Sequence, residues 1–180
     1  MSPDDLAVFV SGEAIYDTFR IPALIEAGNG DLLAFAEGRV GGRGDSGDID
    51  LVLRRSSDGG DTWSDLEVVW DDGANTCGNP CPVVDWSDGT IHLLATHNLG
   101  HDHESEIIAG TSEGTRTVWV LSSDDHGATY AVPPLPHGRF GRMDETTVGA
   151  APAEAGAGAL VLHSRNVLSS PWWMDAALDP

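Results

Sequence analysis

Ser56-Ser57-Asp58-Gly59-Gly60-Asp61-Thr62-Trp63 and Ser123-Asp124-Asp125-His126-Gly127-Ala128-Thr129-Tyr130 are two copies of one turn, Ser-x-Asp-x-Gly-x-Thr-aromatic. In such a turn the aspartate carboxylate accepts backbone N–H groups, the glycine supplies a permissive backbone, and the aromatic packs between strands. Asp58 and Asp125 are therefore read as parts of the fold. Outward from the turns, short apolar runs alternate with Gly/Asp/Asn clusters, and helical periodicity is scarce. Runs at 21–26 and 32–36 flank Gly28-Asn29-Gly30-Asp31, a hairpin signal, and runs at 49–55 and 66–70 flank the first special turn. The order then repeats: 82–86 and 90–96 flank Ser87-Asp88-Gly89, and 115–121 leads into the second special turn.

A repeated turn implies a repeated unit. The pattern predicts an all-β chain of four-stranded antiparallel units over 16–72 and 80–133, each with the special turn between its third and fourth strands. A third unit begins over 144–170. Repeated four-stranded sheets are the blades of a β-propeller, so residues 1–180 are read as one partial propeller domain of about two and a half blades. That number does not close a ring, and the open sheet edges are expected to promote self-association.

The chain has 29 acidic and 9 basic residues, a formal charge of −20, and every basic residue is arginine. Such a surface repels nucleic acid and anionic membranes, and neither is expected as a partner. With 41% hydrophobic residues the chain is not a disordered acidic tail. Cys77 and Cys81 are too few for a four-cysteine zinc site and are read as structural thiols, with a local disulfide as the alternative. His101 and His103 lie in an acidic loop without a third ligand at defined spacing, so neither metal nor cofactor is expected. The amino terminus shows neither the basic region nor the apolar run of a signal peptide, which gives a cytoplasmic expectation.

Arg20, in Phe19-Arg20-Ile21-Pro22, is the first candidate for chemistry. Its planar, permanent charge grips carboxylates through paired hydrogen bonds, and Pro22 stiffens the strand behind it. Ala34-Phe35-Ala36-Glu37-Gly38-Arg39 follows, then the acidic loop Gly44-Asp45-Ser46-Gly47-Asp48-Ile49-Asp50 and a strand ending in Arg54-Arg55. In order and spacing these segments, with the first special turn, resemble the first blade of the sialidase (neuraminidase) family, bacterial-type exo-alpha-sialidases with Asp-box (BNR) repeats. The resemblance implies a six-bladed propeller and removal of terminal sialic acid from glycoconjugates by a retaining mechanism. It implies that Arg20 clamps the substrate carboxylate, that Arg39 lines the same end of the pocket, and that Asp45 is the general acid. Asp48 and Asp50 are read as backbone-supporting. Asn79-Pro80-Cys81-Pro82 matches the start of the next blade near the pocket wall, and the loop 98–106 is read as rimming the site.

Glu145, opening one run, and Arg165, closing the next, resemble a later sialidase blade. There the resemblance implies that Glu145 activates the nucleophile and Arg165 is a second clamp arginine. The family's Gly-Pro-Gly segment is missing between Arg116 and Glu145, which reads as an internally shortened member. The third clamp arginine and the nucleophilic tyrosine are not found, since Tyr16 lies upstream of Arg20 and Tyr130 lies inside an Asp-box. Little or no turnover is therefore expected of this chain alone. The competing expectation is a non-catalytic Asp-box fragment that binds glycans or serves in assembly.

Overall fold

A computed structural model describes residues 6–133 in full and, beyond them, the backbone of strands at 138–139, 145–149, 160–165 and 174–176. The first unit is an antiparallel meander of β1 (Thr18–Glu26), β2 (Leu32–Arg39), β3 (Ile49–Ser56) and β4 (Glu67–Trp70). The second comprises β5 (Thr76–Val84), β6 (Ile91–Asn98), α1 (Glu104–Ala109), β7 (Thr117–Ser123) and β8 (Gly138–Arg139). A single parallel bridge, Ile49 to Thr76, joins the units into one sheet. A separate sheet contains β9 (Glu145–Gly149), β10 (Leu160–Arg165) and β11 (Met174–Ala176).

The strand runs read from sequence are found, with differences at the fourth strand of the second unit, at the helix α1, and at β11, which lies past the unit read as 144–170. The fourth strand of the second unit is reduced, next to its special turn, to one bridge between Ser122 and Ala131. The six-residue helix α1 was not read from sequence; its capping box, in which the Glu106 side chain accepts from the His103 N–H at 3.0 Å, is local and short.

Both special turns close the same way. The Asp58 carboxylate accepts from the Thr62 N–H (2.9 Å), the Thr62 hydroxyl (2.5 Å) and the Ser56 hydroxyl (2.8 Å). Asp125 accepts from the matching groups of Thr129 and Ser123 at 2.9, 2.6 and 2.8 Å. These hydrogen bonds hold both carboxyls down at about 2. The residue between Asp and Gly is left-handed in each copy: Gly59 in the first, His126 with φ 59° in the second. The second turn also fastens the units together, because Arg55 donates to the His126 carbonyl at 2.9 Å.

The main core lies between the units. Alternate residues Leu33 and Phe35 of β2, with Leu51 and Leu53 of β3, pack with Ile91, Leu93 and Leu121. The opposite face of β2 and β3 buries Ala36 and Val52 under Tyr16, with Phe9 and Phe19 alongside. Tyr16 lies directly over Gly38, where a Cβ would come within 2.8 Å of its ring. Its hydroxyl donates to Asp50 Oδ2 at 2.7 Å.

That contact corrects the sequence reading of Asp50. Its carboxylate is buried and holds the segment before β1 through Tyr16; it does not brace the backbone. Burial pushes the Asp50 carboxyl up to about 6, the Tyr16 hydrogen bond opposes this, and the charges of Asp71 and Asp48 add to the rise. Its other oxygen, Oδ1, is buried with no hydrogen-bond partner among the described residues.

Candidate active site

The same alternation that sends Leu33 and Phe35 into the core continues to Glu37 and Arg39 at the end of β2. Two charged residues on a core-facing row have to be paired. Glu37 Oε2 accepts from Arg39 Nε at 2.9 Å and also from Nη2, and both residues are 3% exposed. Arg39 Nη1 donates to Asp45 Oδ1 at 2.8 Å and to the carbonyls of Arg43 (2.9 Å) and Gly44 (2.6 Å). The glycine-rich loop after β2 is thus wrapped around one guanidinium.

Arg20 reaches the same carboxylate oxygen, with Nη1 to Asp45 Oδ1 at 2.7 Å. It is aimed there by a β-bulge. The pairing of β1 with β2 shifts register between Arg20 and Ala23, and Ile21 has φ 52°. A positive φ is strained for a β-branched residue, and bulges of this kind redirect side chains beside functional sites. The second unit repeats the device. The register of β5 with β6 shifts between Gly78 and Cys81, and Asn79 has φ 54° before Pro80. The Asn79 N–H donates to Glu37 Oε1 at 2.8 Å, so Glu37 ties the two bulged strands together.

These residues line a cavity of about 310 Å³, closed on the second unit's side by Thr76, Asn79, Thr96, Asn98, Glu104 and Arg116. Arg116, almost fully buried, donates through Nε to Asn98 Oδ1 at 3.2 Å and lies 3.9 Å from Glu104. Three guanidinium groups therefore face three carboxylates, those of Glu37, Asp45 and Glu104. The cavity is close to neutral within a chain of net charge −20. Partial burial acts to raise the Asp45 carboxyl, but the hydrogen bonds and charges of Arg39 and then Arg20 outweigh it and hold it below the usual carboxylate range.

The structure thus brings Arg20, Arg39 and Asp45 together, with Arg39 serving as the anchor of the Asp45 loop. Asn79 stands on the cavity wall and the loop at 98–106 on its rim, as read from sequence. Glu145 opens β9 and Arg165 closes β10, and the two are direct partners in the antiparallel register. Their side chains lie outside the described residues. Glu37 and Arg116 were not singled out from sequence. The period-two row with Leu33 and Phe35 signals Glu37, whereas Arg116 precedes β7 with no local motif to mark it. Neither tyrosine of the chain lines this cavity: Tyr16 is bound to Asp50, and Tyr130 packs edge-on to Phe35 at 6.0 Å.

Antiparallel four-strand units with Asp-box turns, and a cavity of interlocked arginines and carboxylates beside their bulged first strands, define a β-sheet protein built of repeated Asp-box units. The BNR repeat-like domain family matches residues 30–176. The chain belongs to this family, among the sialidases. It is 36% identical over 149 residues to an exo-alpha-sialidase of Aspergillus fumigatus, covering 73% of this chain and 36% of that protein. It is 40% identical over 139 residues to a sialidase of Micromonospora viridifaciens, covering 71% of this chain and 20% of that protein. The chain therefore spans about a third or less of the length of these relatives. Among solved structures, an intramolecular trans-sialidase of Ruminococcus gnavus in complex with oseltamivir carboxylate superposes with a TM-score of 0.68 at 14% identity, over 96% of this chain and 63% of that one. At that identity the likeness concerns the fold, a sialidase β-propeller.

Proposed function

We propose that this chain carries the acid-and-arginine portion of an exo-alpha-sialidase site and binds the terminal sialic acid of glycoconjugates. The observation that carries the reading is the meeting of Arg20, Arg39 and Asp45 within hydrogen-bond distance in one polar cavity. The 36% and 40% identities to enzymes named as sialidases support it. In this reading Arg20 and Arg165 hold the substrate carboxylate. Asp45, once protonated, gives its proton to the glycosidic oxygen as the bond from that oxygen to the anomeric carbon breaks, and the aglycone leaves as an alcohol. A carboxylate nucleophile would be repelled by the sugar's own carboxylate, so a retaining reaction uses a neutral tyrosine whose proton Glu145 removes. Water then releases the sugar.

The sheet is two and a half blades of a six-bladed propeller in this reading, and its open edges favour self-association. With Tyr16 and Tyr130 both committed elsewhere, the chain alone turns over sialosides weakly or not at all. The test is release of a fluorescent leaving group from a sialoside. A slow or absent rate fits the account, and a brisk rate abolished by Asp45→Asn overturns the expectation of weak turnover. That no tyrosine lines the cavity among the described residues favours a second reading, a glycan-binding Asp-box module without hydrolysis. Binding of neutral sugars with affinity independent of Arg20 would favour it.

A further inference from the structure

Asp45 stands in an arrangement that an acid catalyst cannot use. Its Oδ1 is shared by Arg20 and Arg39, and both cations hold the carboxyl ionised, below the usual range. An ionised carboxylate has no proton to donate. A second observation concerns the cavity's charge. Arg39 is neutralised from behind by Glu37 and pinned by the Arg43 and Gly44 carbonyls, so it stays in place. Arg20 Nη1 also donates to the Arg43 carbonyl, at 3.2 Å, but Arg20 is 38% exposed, and its ion pair is with Asp45, itself 56% exposed. A pair this open to water is weak and readily exchanged. An anion that reached Arg20 with Asp45 still bound would bring two carboxylates onto one guanidinium.

Resting on the sialic acid reading, we propose that Asp45 occupies, in the unliganded site, the place of the ligand's carboxylate on Arg20, and that an arriving carboxylate displaces it and so frees the acid. The exchange makes the acid conditional on its substrate. Once displaced, Asp45 keeps only Arg39, whose charge Glu37 already offsets, and gains a negative neighbour in the ligand. Both changes favour its protonated form. A glycoside without a carboxylate leaves Asp45 ionised and unproductive even if it enters the cavity. The loop is built for a short displacement. Gly41, Gly42 and Gly47 have positive φ, while Ser46 Oγ to His103 Nδ1 (3.1 Å) and Thr76 Oγ1 to the Gly47 carbonyl (2.9 Å) hold its far end. The charged groups facing Asp45 are thus Arg20 from β1, Arg39 and Glu37 from β2, His103 through Ser46, and Glu104 with Arg116 across the cavity.

The test is an NMR titration of the Asp45 carboxyl carbon in the full chain, assigned by its loss in Asp45→Asn. With the dehydrated sialic acid analogue at saturation, the Asp45 proton affinity is expected to rise at least tenfold; with the corresponding carboxamide it should stay unchanged. In unliganded Arg20→Gln it should rise without any ligand. Binding of the analogue with no rise in Asp45 affinity overturns the exchange and leaves the sialic acid reading standing. Failure of the analogue to bind overturns that reading, and acetate then serves as the probe. A rise in Asp45 affinity with acetate in the wild type, absent in Arg20→Gln, supports the exchange; no rise refutes it.

Discussion

Replacing Asp50 with asparagine should stabilise this protein above pH 6 and leave it unchanged in acid. Asp50 is 3% exposed, with Oδ2 bound to the Tyr16 hydroxyl at 2.7 Å and Oδ1 buried without a hydrogen-bond partner among the described residues. Burial raises its carboxyl to about 6, against an ordinary value of 3.8. The folded chain therefore holds this proton more tightly than the unfolded one. Stability from this group is complete below about pH 4 and is lost as pH rises through 6. A rise of about two pKa units corresponds to about 3 kcal/mol at most, since each unit is about 1.4 kcal/mol. Relaxation and solvent screening reduce this to about 1–2 kcal/mol. Asparagine keeps the acceptor for Tyr16 and puts a neutral donor where the orphan oxygen stood. At about 2–4 °C per kcal/mol for a chain of this size, the variant should melt about 2–8 °C higher at pH 8 and within 1 °C or so of the wild type at pH 4. Thermal unfolding followed by circular dichroism at both pH values measures it. An equal offset at the two pH values, or destabilisation at pH 8, would refute the argument.

Other substitutions probe the fold and the site framework. Phe35→Ala, at the centre of the core between the units, should cost about 3–5 kcal/mol in denaturant unfolding. Ser123→Ala removes the acceptor for the buried Gly127 N–H (2.8 Å) and should cost about 1–3 kcal/mol. Arg39→Met leaves Glu37 buried without its cation and should cost about 3–5 kcal/mol. Adding Glu37→Gln to that variant should recover part of the loss, which a double-mutant cycle reads directly. The Asp-box carboxyls of Asp58 and Asp125 titrate near 2, so their support is complete above about pH 4 and disappears as pH falls through 2; Asp58→Asn should flatten that acid limb.

The strands and special turns were legible because their causes are local. Alternation, glycine at positive φ and a carboxylate two residues from a serine can all be read within eight residues. Arg20, Asp45 and the wall residue Asn79 were legible through their motif. What escaped depends on contacts remote in sequence. Asp50 could not be assigned to Tyr16, 34 residues away, from its place in an acidic loop. Glu37 became a link between units only through the Asn79 N–H, 42 residues on. Arg116 enters the cavity because β6 and β7 bring it against Asn98. At the two bulges, Ile21 and Asn79, each before a proline, take positive φ, and both residues line the cavity.

The central claim is that Arg20 receives a ligand carboxylate in this cavity. Calorimetric titration with the dehydrated sialic acid analogue, using the wild-type chain and Arg20→Ala, tests it most directly. The account predicts saturable binding by the wild type that is lost in the variant. Equal binding by both proteins, or binding of neutral sugars in place of the analogue, would contradict it.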